Sequence, residues 1–234
     1  MAQRSVGTRI KIGTTFIAGL TSIDAPPRSA ETLDTTTLDS AGGYRTFIGG
    51  FKDGGEVTLS GFFEAGDAGQ IALNDAFEAG TLQNFEIVFP PEMGASWSFQ
   101  AVVTAFKGGD AQLEELLAFE ATVKISGPPT LATSASGGIT ALSLTGGGTL
   151  SPAFASGVSY YAYTGAITSP ITVTATAANH TLKLYVDDAF VQDLTSGAAS
   201  GPITVPATSR QVTILAQEAG KAIRYYDVTV AKTS

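Results

Sequence analysis

Catalytic and metal chemistry draws on clusters of thiols, imidazoles and carboxylates, and this chain of 234 residues has no cysteine and a single histidine, His180. A lone imidazole in Asn179-His180-Thr181 reads as a turn residue between two strands rather than a ligand or general base. Carboxylates are plentiful, with sixteen in residues 1–130. Pairs such as Asp34 with Asp39 therefore arise by chance and do not point to the two-acid chemistry of a glycosidase. Asp187-Asp188 reads as a hairpin turn, not a calcium site. Gly146-Gly147-Gly148 lacks the Lys-Ser/Thr of a phosphate loop, and Gly220-Lys221-Ala222 lacks the upstream glycine and the hydroxyl residue. No catalytic residue, metal ligand or cofactor is expected, and the chain is read as a non-enzyme.

Apolar residues make up 44% of the chain and charged residues 15%, so it buries a core and is not a disordered tail. The net charge of −8 lies wholly in residues 1–130, where eight Lys/Arg face sixteen Asp/Glu; residues 131–234 hold five of each. Such an acidic first half excludes adhesion to phosphate backbones through a basic surface. The missing cysteines fit a reducing interior or an assembly that needs no disulfides. No apolar run approaches the ~18 residues of a spanning helix. Arg4, Arg9 and Lys11 precede Ile12 to Leu20, but Gly13, Thr14, Thr15 and Gly19 dilute any signal-peptide core, and the segment reads as strand and turn.

The elements that would carry function are mostly strands. Leu117, Phe119, Ala121, Val123 and Ile125 alternate with polar neighbours, as do Trp97 to Ala105, Phe85 to Phe89, and Val57 with Leu59. One face of each strand is apolar and the other wet. Asp67 to Ala79 breaks this pattern with Ala72, Leu73, Ala76 and Phe77 on one helical side, Asp67 as cap and Gly80 as stop. Gly127-Pro128-Pro129-Thr130 and the small residues after it mark a boundary, giving a domain at 1–130, a flexible linker at 131–138 and a domain at 139–234. Seven runs in the second domain, at 141–145, 159–164, 171–177, 181–186, 203–206, 211–217 and 224–230, describe a sandwich without the cysteine pin of antibody domains. The expected fold class is mainly β: two packed antiparallel sheets with one flanking α-helix, then a seven-stranded Ig-like β-sandwich.

Glu31-Thr32-Leu33-Asp34-Thr35-Thr36, Asp39-Ser40 and Tyr44-Arg45-Thr46-Phe47-Ile48-Gly49-Gly50-Phe51-Lys52-Asp53-Gly54-Gly55 form a block that resembles the major tail tube proteins of long, flexible-tailed (lambda-like, siphovirus) bacteriophages. The likeness continues through Glu56 to Gly61, Gly69-Gln70, the strand at Phe85, Trp97 to Phe106, and Lys124 to Thr130. Leu142, Leu144, Thr149 to Phe154, Tyr160 and Tyr226 to Val230 resemble bacterial cadherin-like or Ig-like sandwiches, without their calcium motifs.

The resemblance implies a virion subunit made in the bacterial host cytoplasm. It would close into hexameric rings stacked as a hollow tube around a tape measure protein, meeting tail terminator and distal tail proteins at its ends and passing double-stranded DNA without adhesion. Glu120 and Thr122, with Thr58, Gln100 and Thr104, are the expected acidic lumen face, and Lys124 on that face is expected to pair with an acidic neighbour. A long loop from Thr36 to Asp53, carrying Asp39, Tyr44, Arg45, Phe47, Lys52 and Asp53, is expected to reach a neighbouring subunit or ring. The second domain would decorate the exterior, with weak host-surface or glycan contact, and its removal from residue 135 onward would leave assembly intact. The rival reading is a surface adhesin whose Tyr160, Tyr161, Tyr163, Tyr225 and Tyr226 stack on sugars.

Overall fold

A computed structural model describes residues 5–111 and 113–233; Arg4 lies outside the described residues. The molecule is mainly β with one α-helix among the described residues, as its sequence pattern requires. In the first domain β1 (Arg9–Ile12), β2 (Thr15–Phe16), β3 (Leu20–Ile23), β6 (Glu56–Phe62), β7 (Gln83–Val88), β8 (Ser96–Asp110) and β9 (Ala118–Ala132) make one antiparallel sheet. Its order is β2-β1-β7-β8-β9-β6-β3.

The two edge strands, β2 and β3, are separated in sequence only by Ile17, Ala18 and Gly19. Four Cα steps span at most about 14 Å, so the edges must approach and the sheet rolls up. Its two halves are the two packed layers. The concave side holds one core in which Ile10 and Ile12 of β1 and Phe85 and Ile87 of β7 join Val57 and Leu59 of β6 and Phe119, Ala121 and Val123 of β9. Residues that alternate with these point outward on every side of the roll. The β1–β7 wall and the β6–β9 wall therefore face away from each other.

Helix α1 (Ala68–Ala79) plugs the roll. The Asp67 side chain accepts from the Gln70 amide at 2.8 Å, and Gly80 ends the helix at φ 61°. Leu73 and Ala76 enter the core as the sequence indicates, but Phe77 stays outside it, 40% exposed. Buried Gln70 takes its place as an anchor, donating to the carbonyls of Ala18 and Phe62 and accepting from the Glu64 amide. It thereby ties the helix to the β2–β3 connection and to the end of β6.

The second domain has a six-stranded sheet of order β11-β12-β17-β16-β14-β15: β11 (Thr149–Ser151), β12 (Tyr160–Gly165), β14 (His180–Val186), β15 (Ala189–Leu194), β16 (Ser209–Glu218) and β17 (Arg224–Lys232). It faces a two-stranded sheet of β10 (Ala141–Leu144) and β13 (Val173–Thr176). The run expected at 203–206 makes only an isolated bridge, Ile203 to Ile171, while the short β11 and the polar-faced β15 complete the sheet. Asp187 and Asp188 turn between β14 and β15 at φ 48° and 62°, the left-handed pair that a tight hairpin demands. His180 is not a turn residue: it opens β14. Its Nδ1 donates to the Ala178 carbonyl, and its Nε2 is hydrogen-bonded to Ser136 Oγ at 2.8 Å.

The segment expected as a flexible linker is held along its length. Leu131 and Ala132 pair with Trp97 and Ser96 as the end of β9. The Ser136 amide donates to the Ala222 carbonyl, and the Ala222 amide to the Ser134 carbonyl.

Candidate functional site

The outward face of the β6–β9 wall is built by pairing polar residues across two strands. Thr58 lies opposite Thr122 and Ser60 opposite Glu120, while the alternate positions, Val57 with Val123 and Leu59 with Ala121, sit in the core. Thr104 joins this patch from β8, its hydroxyl donating to the Thr122 carbonyl at 3.1 Å. Gln100 does not join it. Gln100 donates to Asn84 Oδ1 at 3.2 Å and lines a groove with Glu86, Ser98 and Ser126 that reaches Gln217 of the second domain.

The charges on this wall are unevenly matched. Lys124 Nζ lies 2.8 Å from Asp53 Oδ2, the acidic partner expected for it. Asp53 also accepts from the Gly55 amide. Those bonds, the one from Lys124 first, hold the Asp53 carboxyl below its usual range, and the same ion pair raises the Lys124 ammonium. Lys107 stands opposite Glu120 in the ladder, yet its ammonium is 2.6 Å from Asp110. Both cations are thus occupied by other carboxylates, and Glu120 makes no ion pair among the described residues. Glu120 is thus an open carboxylate of this wall.

The expected long loop is partly a strand. β4 (Ser29–Asp34) and β5 (Phe47–Asp53) pair antiparallel as a two-stranded ribbon apart from the main sheet, with Leu33 opposite Ile48 and Asp34 opposite Phe47. Phe47, Lys52 and Asp53 therefore sit on a strand, and the true connection is 35–46, which carries Asp39, Tyr44 and Arg45. The alternation that reveals other strands is missing because neither face of the ribbon is covered. Leu33, Phe47 and Ile48 are all exposed, Tyr44 is 80% exposed and Phe51 87%. Arg45 lies 3.7 Å from Asp34, while Asp39 accepts from the Thr37 hydroxyl, which lowers its carboxyl pKa. A two-stranded ribbon with an apolar surface is not stable in isolation. This one is tied to the body at its base by the Lys124–Asp53 pair.

The tyrosines offered as a sugar platform are mostly structural. Tyr161, Tyr163 and Tyr226 lie in the sandwich core and Tyr225 is buried on the other side of its sheet. Only Tyr160 is open, at 48%, and its hydroxyl is 2.9 Å from that of Tyr225. Among the described residues no group of three or more potential metal ligands exists, and no helix is long and apolar enough to cross a membrane.

A family model described as "Lambda phage tail tube protein" matches residues 14–132. Among solved structures, a chain from the virion of a native gene transfer agent particle is 23% identical, aligns over 56% of this chain and 99% of its own, and has a TM-score of 0.48. A chain of the anti-feeding prophage tube-terminating cap is 16% identical over 57% of this chain and 93% of its own, TM-score 0.47. One from the SPP1 tail tube is 13% identical over 55% and 78%, TM-score 0.43. Among curated proteins there is no match.

Proposed function

The chain belongs to the lambda phage tail tube protein family and is a structural component of a virion tail rather than an enzyme, and from that premise we propose that six copies close into rings and stack into the conduit of a long, flexible tail. Residues 1–130 build the tube and residues 139–234 decorate its exterior. The face carrying Glu120, Thr122, Thr58 and Thr104 lines the channel, and the β4–β5 ribbon bridges to a neighbouring subunit or ring. The tape measure protein occupies the channel before DNA, and terminator and distal tail proteins close its ends.

One observation carries this reading: the two walls of the rolled sheet differ in what covers them. The β1–β7 wall is covered by the sandwich through Phe16 and Val88. The β6–β9 wall is bare and hydroxyl-rich, and it carries the carboxylate of Glu120, unpaired among the described residues. A sandwich fixed on one wall leaves the opposite wall free to enclose a channel. Carboxylates there repel phosphate, and with a Debye length of ~8 Å at physiological salt the field acts over the first layers of water and ions, enough to prevent sticking without blocking passage. The exposed aromatics of the ribbon supply the apolar surface that ring closure or stacking would bury.

Negative-stain microscopy of the purified chain should show rings or tubes bearing knobs; monomers under every condition would contradict the proposal. Glu120→Lys should slow or stall DNA delivery while tubes form as before, and unchanged delivery would count against the channel face. Phe51→Asp should leave the subunit folded and abolish polymerisation; normal tubes would remove the ribbon from the assembly contact.

A further inference from the structure

The β1–β7 wall and the outer face of the sandwich meet in a buried seam that the tube assignment does not require. Its apolar part joins Phe16 and Val88 of the rolled sheet to Tyr185, Leu215, Ile223 and Tyr225 of the sandwich, with Phe190 packed beside them. The rings of Phe16 and Tyr185 are 4.8 Å apart between centroids. Phe16, Val88, Tyr185, Leu215 and Tyr225 stand on the face of their strands opposite their own domain core, Ile223 joins them from the residue before β17, and together they form a third core between the two.

The polar part is more specific. Arg9 of β1 makes a bidentate contact with Asp227 of β17, 3.2 Å through Nη1 and 2.6 Å through Nη2. Thr213 of β16 donates to the same carboxylate at 2.6 Å. The guanidinium also lies 4.8 Å from the Tyr225 ring centroid and 5.6 Å from that of Phe16, and 3.8 Å from Asp188. Nearby, Lys11 and Glu86 form an ion pair at 2.6 Å with side chains only 6% and 12% exposed, and Gln217 of the sandwich reaches Glu86 at 3.4 Å. Tyr160 donates to the Tyr225 hydroxyl, which donates to the Gly7 carbonyl at 2.8 Å. Gly7 has φ 96°, and a Cβ there would lie 3.0 Å from both hydroxyls, so a side chain at that position would push the seam apart.

Buried charges are tolerated only when paired, and a planar guanidinium held by a carboxylate fork and two ring faces has one orientation. We propose that this seam, and not the connecting chain, holds the sandwich on the rolled sheet, so that the two domains form one rigid body and unfold together. A chain ending at Ala132 would expose Phe16 and Val88 and strip Arg9 of its carboxylates. Contrary to the expectation from sequence, the sandwich is then not dispensable.

The absence of native cysteine allows a direct test. Spin labels on the double variant Glu78→Cys, Ser143→Cys, both exposed positions in different domains, report the interdomain distance by double electron–electron resonance. The seam predicts one narrow distribution, unchanged when six Gly/Ser residues are inserted after Thr133. Arg9→Ala in the same labelled background should broaden it. If Arg9→Ala fails to fold, Tyr225→Phe should give a smaller broadening. A broad distribution in the labelled parent, or one that widens on lengthening the connection, would overturn the proposal.

Discussion

The β1–β7 and β6–β9 walls belong to one sheet and follow the same rule, apolar residues inward and polar residues outward, yet they end in opposite environments. On β1 the outward residues Arg9 and Lys11 are drawn into ion pairs beneath the sandwich. On β9 the outward residues Glu120 and Thr122 remain open, and Lys124 is engaged by Asp53 at the foot of the ribbon. The alternation of a strand fixes which face a side chain occupies. Whether that face meets water or a partner depends on residues far away in the chain, here 218 positions from Arg9 to Asp227.

Substitutions can break that contrast. The largest effect is expected for Arg9→Ala, which leaves Asp227 buried without its cation. Loss of one member of such a pair costs roughly 3–5 kcal/mol, read as a lower urea midpoint. Tyr225→Phe removes the bond to the Gly7 carbonyl and should cost about 1 kcal/mol in the same titration. On the open wall, Thr122→Val should change folding stability by no more than about 0.5 kcal/mol, because its hydroxyl makes no bond that the fold needs. A large loss there would mean that the wall is structural in the monomer.

The smallest effect sharpens the comparison by its sign. Burial pushes the Asp188 carboxyl above its usual range, Arg9 offsets this, and Asp227, Asp67 and Asp187 add to the rise. A carboxyl with a raised folded-state pKa penalises folding above that pKa, and the penalty disappears as pH falls through it. Asp188→Asn should therefore give a slight gain in melting temperature at pH 7 that fades on acidification. Asparagine also accepts the φ of 62° at this turn. A loss at pH 7 would show that the Arg9 contact outweighs the burial.

Much of this architecture was legible from local signals. Asp67 and Gly80 bracket the helix, and the alternation through Phe119, Ala121 and Val123 defines β9 and its wet face. The ribbon escaped because a strand exposed on both sides, with Gly49 and Gly50 among its residues, carries no alternation. The seam escaped for the opposite reason. Val88 sits on the nominally polar side of β7, and Val212 to Ala216 is buried on both faces of β16. Such continuous burial is the mark of a strand covered twice. Glu86 and Lys11 hid the signal, since a charged residue at an outward position reads as solvated until its partner is known. Gln100 shares the parity of the open wall and lies in the groove beside Gln217.

The central claim is that the bare acidic wall encloses the channel while the sandwich stands outside it. A cryo-electron microscopy map of the assembled tube tests this most directly. The account predicts six-fold rings with Glu120 and Thr122 facing the lumen and the sandwich, fixed over Phe16 and Val88, projecting from the outer surface. A lumen lined by the sandwich, or an inner wall of cationic residues, would contradict it.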